Sequence, residues 1–134
     1  MKATENTEDT ERAETDALTH AVIGAAIEVH RVLGPGLLES IYEEALCHEF
    51  SLRGIRFERQ KAVEVRYKDI SIKGQRLDLL VEDSLIVEIK SLGTLPAVAM
   101  SQVLSYLRAT GLHRALLIKF GERLLKDGIN RISL

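Results

Sequence analysis

Two carboxylates and a lysine interrupt two apolar segments of this chain, and together they could bind a metal ion beside a phosphate. Asp78 lies in segment 76–81, and Glu88 and Lys90 lie in segment 85–90; both segments are otherwise mostly aliphatic. Burying such charges is costly unless they pair or bind a metal. Carboxylates are hard ligands suited to Mg²⁺ or Mn²⁺, and a nearby ammonium can stabilise charge on a phosphate. These residue types match the requirements of a metal-dependent phosphodiesterase.

The spacing of the apolar residues predicts a hairpin that brings the two carboxylates together. Alternate side chains of a strand share a face, and the apolar faces of the two segments coincide only if residue i pairs with residue 166 − i. That register leaves a three-residue loop over 82–84, a common hairpin connection, and places Asp78 opposite Glu88. The predicted apolar faces consist of Leu77, Leu79 and Val81 on one strand and Leu85, Val87 and Ile89 on the other. The alternative is a solvated outer face on which Glu88 and Lys90 are ordinary surface charges.

Length and composition indicate one globular domain. The chain has 134 residues, of which 46% are hydrophobic and 28% charged, and no segment approaches the roughly 20 apolar residues that span a bilayer. Cys47 is the only cysteine, which excludes an intramolecular disulfide and a thiol-rich metal site and favours a reducing cytoplasm. Residues 1–13 have few apolar side chains and are predicted to form a disordered acidic tail before a single domain over 14–134.

The hydrophobic pattern predicts two helices at the start of this domain. The first is expected from about Thr15 to Leu33, where Gly34-Pro35-Gly36 ends it, and the second from about Leu37 to Arg53, where Gly54 ends it.

The remainder of the domain is predicted to contain five strands and one further helix. Strands are expected over 62–67, from about 70 through a bulge or bend at Gly74 to 81, and over 85–90, 114–120 and 129–134. After a loop over 92–95, Pro96 begins a third helix that ends near Thr110. A helix between two strands of one sheet makes those strands parallel. The order α-α-β-β-β-α-β-β therefore predicts an α/β sandwich with a mixed sheet.

Two further pairs of polar residues lie on common helical faces. Glu39 and Tyr42 are three residues apart at the start of the second helix, and Gln102 and Tyr106 are four apart on the third. Each of the four residues has an ordinary structural explanation. Glu39 can be an anion at a helix N-terminus, and Tyr42 an amphipathic core residue. Gln102 and Tyr106 can form hydrogen bonds at the margin of the core. The four histidines have no metal-ligand spacing.

Three motifs in this order resemble the PD-(D/E)XK nuclease superfamily. Asp78 with 88–90 resembles its core motif, 36–42 resembles the motif of the GxxExxY branch, and 102–106 resembles the Q-x-x-x-Y element of RecB-type nuclease domains. The resemblance spans about residues 17–125. It implies a restriction-endonuclease-like α/β sandwich in which helices flank a central mixed sheet.

The resemblance implies a metal-dependent mechanism. Asp78, Glu88 and the Ile89 carbonyl would bind Mg²⁺ or Mn²⁺, with Glu39 as a further ligand, direct or through water. The metal would polarise a phosphodiester oxygen and activate water. Lys90 would position the attacking water or stabilise the developing phosphorane charge.

The resemblance also implies contacts to nucleic acid, with some departures from the family pattern. Gln102 and Tyr106 would contact the nucleic acid or support the metal shell. Tyr42 is also expected to contact the substrate. Three positions differ from the expected residues: Leu77 replaces the proline of the core motif, Ala99 a histidine, and Lys119 an asparagine.

The leading hypothesis is therefore a metal-dependent nuclease acting on DNA or RNA in the cytoplasm. A net charge of −2 counts against strong autonomous binding of nucleic acid. No separate recognition domain is predicted, so target choice is expected to come from a protein partner; a homodimer is the other assembly considered. One alternative is a non-catalytic nucleic-acid-binding or regulatory protein on a nuclease fold. The other is a purely structural interaction module without a metal site.

Overall fold

The computed structural model describes residues 7–91 and 97–134 as three helices and a five-stranded sheet. The elements are α1 (Thr7–Leu33), α2 (Glu39–Arg53), β1 (Phe57–Tyr67), β2 (Ile70–Val81), β3 (Leu85–Lys90), α3 (Ala97–Thr110), β4 (Arg114–Lys119), a 3₁₀ turn (Leu125–Gly128) and β5 (Ile129–Ser133). The predicted order of helices and strands is confirmed. The predicted loop over 92–95 and Pro96 lie outside the described residues.

The sheet is mixed, as the sequence predicted. Its strands lie in the order β1-β2-β3-β4-β5. β3 and β4 are parallel, and the other three neighbouring pairs are antiparallel. The parallel pair is joined by α3, because parallel strands require a crossover connection.

Both faces of the sheet are covered by helices. Apolar residues of α1 and α2, including Val22, Leu46 and Phe50, pack against Val87 and Leu116 of the sheet. On the opposite face, Val103 and Leu107 of α3 pack in a second core. The central strands are consequently buried on both sides, and the alternative of a solvated outer face for β3 is excluded.

Helix α1 begins earlier than its sequence pattern indicated. It starts at Thr7 rather than near Thr15, so residues 7–13 of the predicted acidic tail are helical, whereas residues 1–6 lie outside the described part of the chain. Four of these seven residues are Glu, Arg or Ala, which have high helix propensity. Asp16 also pairs with Arg114 at the start of β4, which attaches this half of the helix to the sheet.

Strands β1 and β2 form a long hairpin with a bulge. Their register shifts between Val63 and Val65, where Lys73 and Gly74 lie opposite a single residue of β1. Gly74 has φ of 128°, a conformation that glycine adopts readily, so the predicted bulge is confirmed. Residues 64–76, which we call the arm, are all exposed. The hairpin therefore extends past the layers of helices.

Candidate active site

The hairpin of β2 and β3 has the register that the apolar pattern predicted. Leu79 pairs with Val87, Leu80 with Ile86 and Val81 with Leu85, so paired residue numbers add up to 166. The loop over 82–84 is closed by a hydrogen bond in which the Ser84 N–H donates to the Val81 carbonyl at 3.1 Å. The same register, continued by one residue beyond the paired positions, places Asp78 opposite Glu88.

The two carboxylates hold the strands together where the regular ladder ends. The Asp78 N–H donates to Oε2 of Glu88 at 2.7 Å, and the Ile89 N–H donates to Oδ2 of Asp78 at 2.8 Å. In a regular sheet such N–H groups bond to carbonyl groups of a neighbouring strand. Here each carboxylate takes the place of a carbonyl, so β2 and β3 are joined by a reciprocal pair of side-chain bonds.

The irregularity at Asp78 also reverses the face on which Leu77 lies. Leu79 and Val81 belong to the core beneath α1 and α2, whereas Leu77 belongs to the core beneath α3. The prediction that these three share one face was therefore wrong for Leu77. Gln60, which faces Asp78 from β1, has a positive φ of 51°, and both residues fall outside the regular pairing of β1 and β2. The alternation of side chains consequently restarts in the opposite phase.

Burial makes it unfavourable for both carboxylates to be ionised together. Glu88 is only 3% exposed, and this burial, followed by the nearby charge of Asp78, raises its pKa to about 8. Burial is also the main cause that raises the pKa of Asp78, against the lowering effect of the Ile89 N–H. The charge of Lys90 acts in the opposite direction on both groups. A cation beside the pair would remove the penalty for ionisation.

A cavity of about 240 Å³ opens beside Asp78. It is lined by Glu39, Ser40 and Glu43 of α2, Gln60 of β1, Asp78 of β2, and Ile89 and Lys90 of β3. The structure thus brings the predicted residues Glu39, Asp78, Ile89 and Lys90 to one place, with Glu88 bonded to the Asp78 backbone beneath them.

Glu43 is a buried member of this cavity that the sequence analysis missed. Its Oε2 accepts from Nη2 of Arg59 at 2.9 Å, and its Oε1 accepts from Nε2 of Gln60 at 3.1 Å. Its charge contributes to the raised pKa values of Asp78 and Glu88. Glu43 follows Glu39 by four residues and so shares its helical face, which is the signal that could have identified it.

Tyr42 is part of the core and does not fit the predicted substrate contact. Its side chain is fully buried and stacks on Phe120 with ring centroids 4.5 Å apart. Its hydroxyl donates to the Gly34 carbonyl at 2.5 Å and accepts from the Leu37 N–H at 3.1 Å. Tyr42 therefore fixes the turn between α1 and α2, and by doing so it places Glu39 at the cavity.

The two predicted residues of α3 lie on the other side of the sheet. The Tyr106 hydroxyl donates to Oε1 of Gln75 at 3.1 Å. Burial raises the pKa of Tyr106, and the charges of Glu88 and Asp78 raise it further. Gln102 borders a separate groove that also contains Gln75 and Tyr106.

The donor atoms at the carboxylate pair fit a divalent cation. Among residues 7–91 and 97–134, no three His, Cys, Asp or Glu side chains are grouped closely enough to form a ready metal cage. Asp78 and Glu88 nevertheless each use one carboxylate oxygen on a backbone N–H, and the second oxygen of each accepts no hydrogen bond from the residues that the structure describes. Carboxylate oxygens are hard donors, which suit Mg²⁺ or Mn²⁺.

The sequence profile of the PD-(D/E)XK nuclease superfamily matches residues 16–132. The chain therefore belongs to the PD-(D/E)XK nuclease superfamily, and its mixed sheet between helices is the expected restriction-endonuclease-like fold. Neither the curated proteins nor the solved structures contain a significant match. In the part of the chain that the structure describes, no helix is long and apolar enough to cross a membrane.

Proposed function

We propose that this protein is a Mg²⁺- or Mn²⁺-dependent nuclease that hydrolyses phosphodiester bonds of DNA or RNA at the Asp78–Glu88 pair. The reciprocal bonding of these carboxylates to the backbone is the observation that carries the proposal. A purely structural hairpin does not need two buried acids for these bonds, because the carbonyl groups of a regular ladder accept the same N–H groups without the cost of burying carboxylates. Membership of a nuclease superfamily supports the same chemistry.

The cation would be held by Asp78, Glu88 and the Ile89 carbonyl, with Glu39 as a further ligand, direct or through water. When bound, it would supply Lewis-acid stabilisation of charge on the phosphate. Lys90 lines the same cavity, where its ammonium can orient the attacking water and stabilise the negative charge that develops during attack.

Glu39 and Tyr42 support the finer assignment to the GxxExxY branch. Tyr42 anchors the turn that contains Gly36, and Glu39 lines the cavity three residues before it. The RecB-type element of α3 would act differently: Tyr106 would support the carboxylates from the opposite side of the sheet, and Gln102 would contact the nucleic acid. We further propose that this activity resides in a single domain over 14–134, which the first turns of α1 precede, and that the protein acts in the cytoplasm.

The proposal is tested by cleavage assays on DNA and RNA, each single- and double-stranded, with Mn²⁺ and with EDTA. Wild type should cleave at least one substrate only with metal. D78N and E88Q should each lose about 100-fold or more in rate, since each removes a charge that acts on the transition state.

D83N is the matched control, because Asp83 is an exposed carboxylate in the loop of the same hairpin. It should keep wild-type activity. Activity retained by D78N would show that the site is wrongly assigned. Absence of cleavage by wild type, together with intact binding of nucleic acid, would favour the non-catalytic alternative.

A further inference from the structure

The arm, residues 64–76, is an exposed and basic extension of the sheet. All thirteen of its residues are exposed. It contains four basic residues, Arg66, Lys68, Lys73 and Arg76, and two acidic ones, Glu64 and Asp69. Its net charge is therefore positive, although the chain as a whole has a net charge of −2.

The basic side chains of the arm are not neutralised within the described residues. None of the four forms an ion pair there, whereas Arg53, Arg56 and Arg59 each have a carboxylate within 3 Å. Arg76 donates to the Gln60 carbonyl at 3.0 Å, and the Lys68 ammonium lies 5.3 Å from the ring centroid of Tyr67. The positive charge of the arm is thus available to an anionic ligand.

The two faces of the arm differ in chemistry. One face continues from the core beneath α3 and exposes four apolar side chains, Val65, Tyr67, Ile70 and Ile72. The other face carries Arg76, paired with Ala62, and Arg66, paired with Ser71. Ala62 and Arg66 are four residues apart, so the two arginines are separated by about 13 Å along the strands.

The basic face leads to the candidate active site. Arg76 bonds to the backbone of Gln60, and Gln60 lines the cavity that contains Asp78 and Lys90. A nucleic-acid backbone bound along this face would therefore reach the carboxylate pair.

We propose that the arm binds double-stranded DNA through its phosphates and directs one strand into the Asp78 cavity. This proposal rests on the proposed function for the identity of the ligand as nucleic acid. A two-stranded β-ribbon fits the major groove of B-form DNA, which is about 12 Å wide, whereas the major groove of an RNA duplex is too deep and narrow for it. Arginine and lysine are the usual partners of phosphate oxygens.

The test compares two triple variants that remove the same charge. R66Q/K68Q/K73Q changes the arm but keeps Arg76, which is bonded beside the cavity. R108Q/R123Q/K126Q removes three exposed basic side chains elsewhere that form no ion pair among the described residues. Binding of a labelled DNA duplex is measured by fluorescence anisotropy in EDTA, where no metal-dependent hydrolysis occurs, over a series of salt concentrations.

The arm variant should bind the duplex about 10-fold or more weakly at moderate salt. Its plot of log affinity against log salt should be less steep by roughly 2–3, since each lost phosphate contact removes about 0.9 from the slope. The control variant should keep the wild-type slope. Glu64 lies two residues from both Ala62 and Arg66 on β1 and so shares the basic face. E64Q, which removes this acid, should bind more tightly than wild type.

Several results would overturn the proposal: equal weakening in the two triple variants, an unchanged slope in the arm variant, or preference for an RNA duplex over the DNA duplex. Failure of the proposed function would look different. In that case wild type would bind the duplex through the arm but would not cleave it with Mn²⁺.

Discussion

Asp78 and Glu88 owe their properties to the positions they occupy in two central strands. Their residue types and the 166 − i register could be predicted from the sequence and agree with the structure. The bonds of each carboxylate to the opposite backbone could not be, because they depend on the local loss of regular pairing around Gln60 and Asp78. The burial of Tyr42 agrees with its structural explanation as a core residue, but the sequence did not decide between that explanation and a substrate contact, since a tyrosine beside a glutamate on one helical face is compatible with a core or a surface position.

The raised pKa of Glu88 predicts that stability without metal depends on pH. The folded state holds a proton up to about pH 8, whereas the unfolded carboxyl has its ordinary value of 4.5. This contribution to stability is complete below the unfolded value and decreases as pH rises toward 8. In EDTA, the melting temperature should therefore decrease between pH 5 and pH 8. Each unit by which the folded pKa exceeds the unfolded pKa corresponds to about 1.4 kcal/mol of unfolding free energy.

E88Q should remove most of this pH dependence, because glutamine does not ionise. D83N, which changes an exposed carboxylate of the adjoining loop, should retain it. The two variants can be compared by thermal melts monitored by circular dichroism. A wild-type melting temperature that increases over this pH range would contradict the assigned state of Glu88.

At the scale of elements, the helices and strands were largely predictable and their contacts were not. The bulge at Gly74 and the end of α2 at Gly54 follow from local conformation, with φ of 128° and 71° at the two glycines. The early start of β1 at Phe57 was missed, because the four residues that follow Phe57 are all polar and lack alternation. They are fixed by a tertiary contact instead: Arg59 bonds to Glu43 and Glu44 of α2.

This contact between α2 and β1 predicts unequal effects of two neighbouring substitutions. E43Q removes a buried charge that receives bonds from Arg59 and Gln60, and it should cost about 1–3 kcal/mol of stability. It should also lower metal-dependent cleavage, because Gln60 and Glu43 both line the cavity.

E44Q is the matched control for this prediction. Glu44 pairs with the same arginine, but its side chain is 72% exposed, and exposed ion pairs contribute about 0–1 kcal/mol. The free energies of unfolding can be measured by urea titration. An equal loss in the two variants would mean that Glu43 has no special role in holding β1.

At the scale of the whole molecule, the candidate site lies where a doubly covered sheet becomes irregular. The helices on both faces bury β3 and exclude water from Glu88, and the hairpin beyond Asp78 leaves the covered region as the arm. The mixed sheet was predictable from the order of elements, whereas the reversal of faces at Leu77 and the exposure of the arm were not. The reversal arises from the irregular backbone at Gln60 and Asp78, and the exposure arises because α3 covers only part of the long hairpin.

The most direct measurement of the central claim is a calorimetric titration of Mn²⁺ into wild type, D78N and D83N at neutral pH. We expect wild type and D83N to bind Mn²⁺ with the same affinity. D78N should bind it at least about 10-fold more weakly, since it removes a charged ligand. Absence of binding by wild type, or equal binding by D78N, would contradict the claim that the paired carboxylates hold a divalent cation.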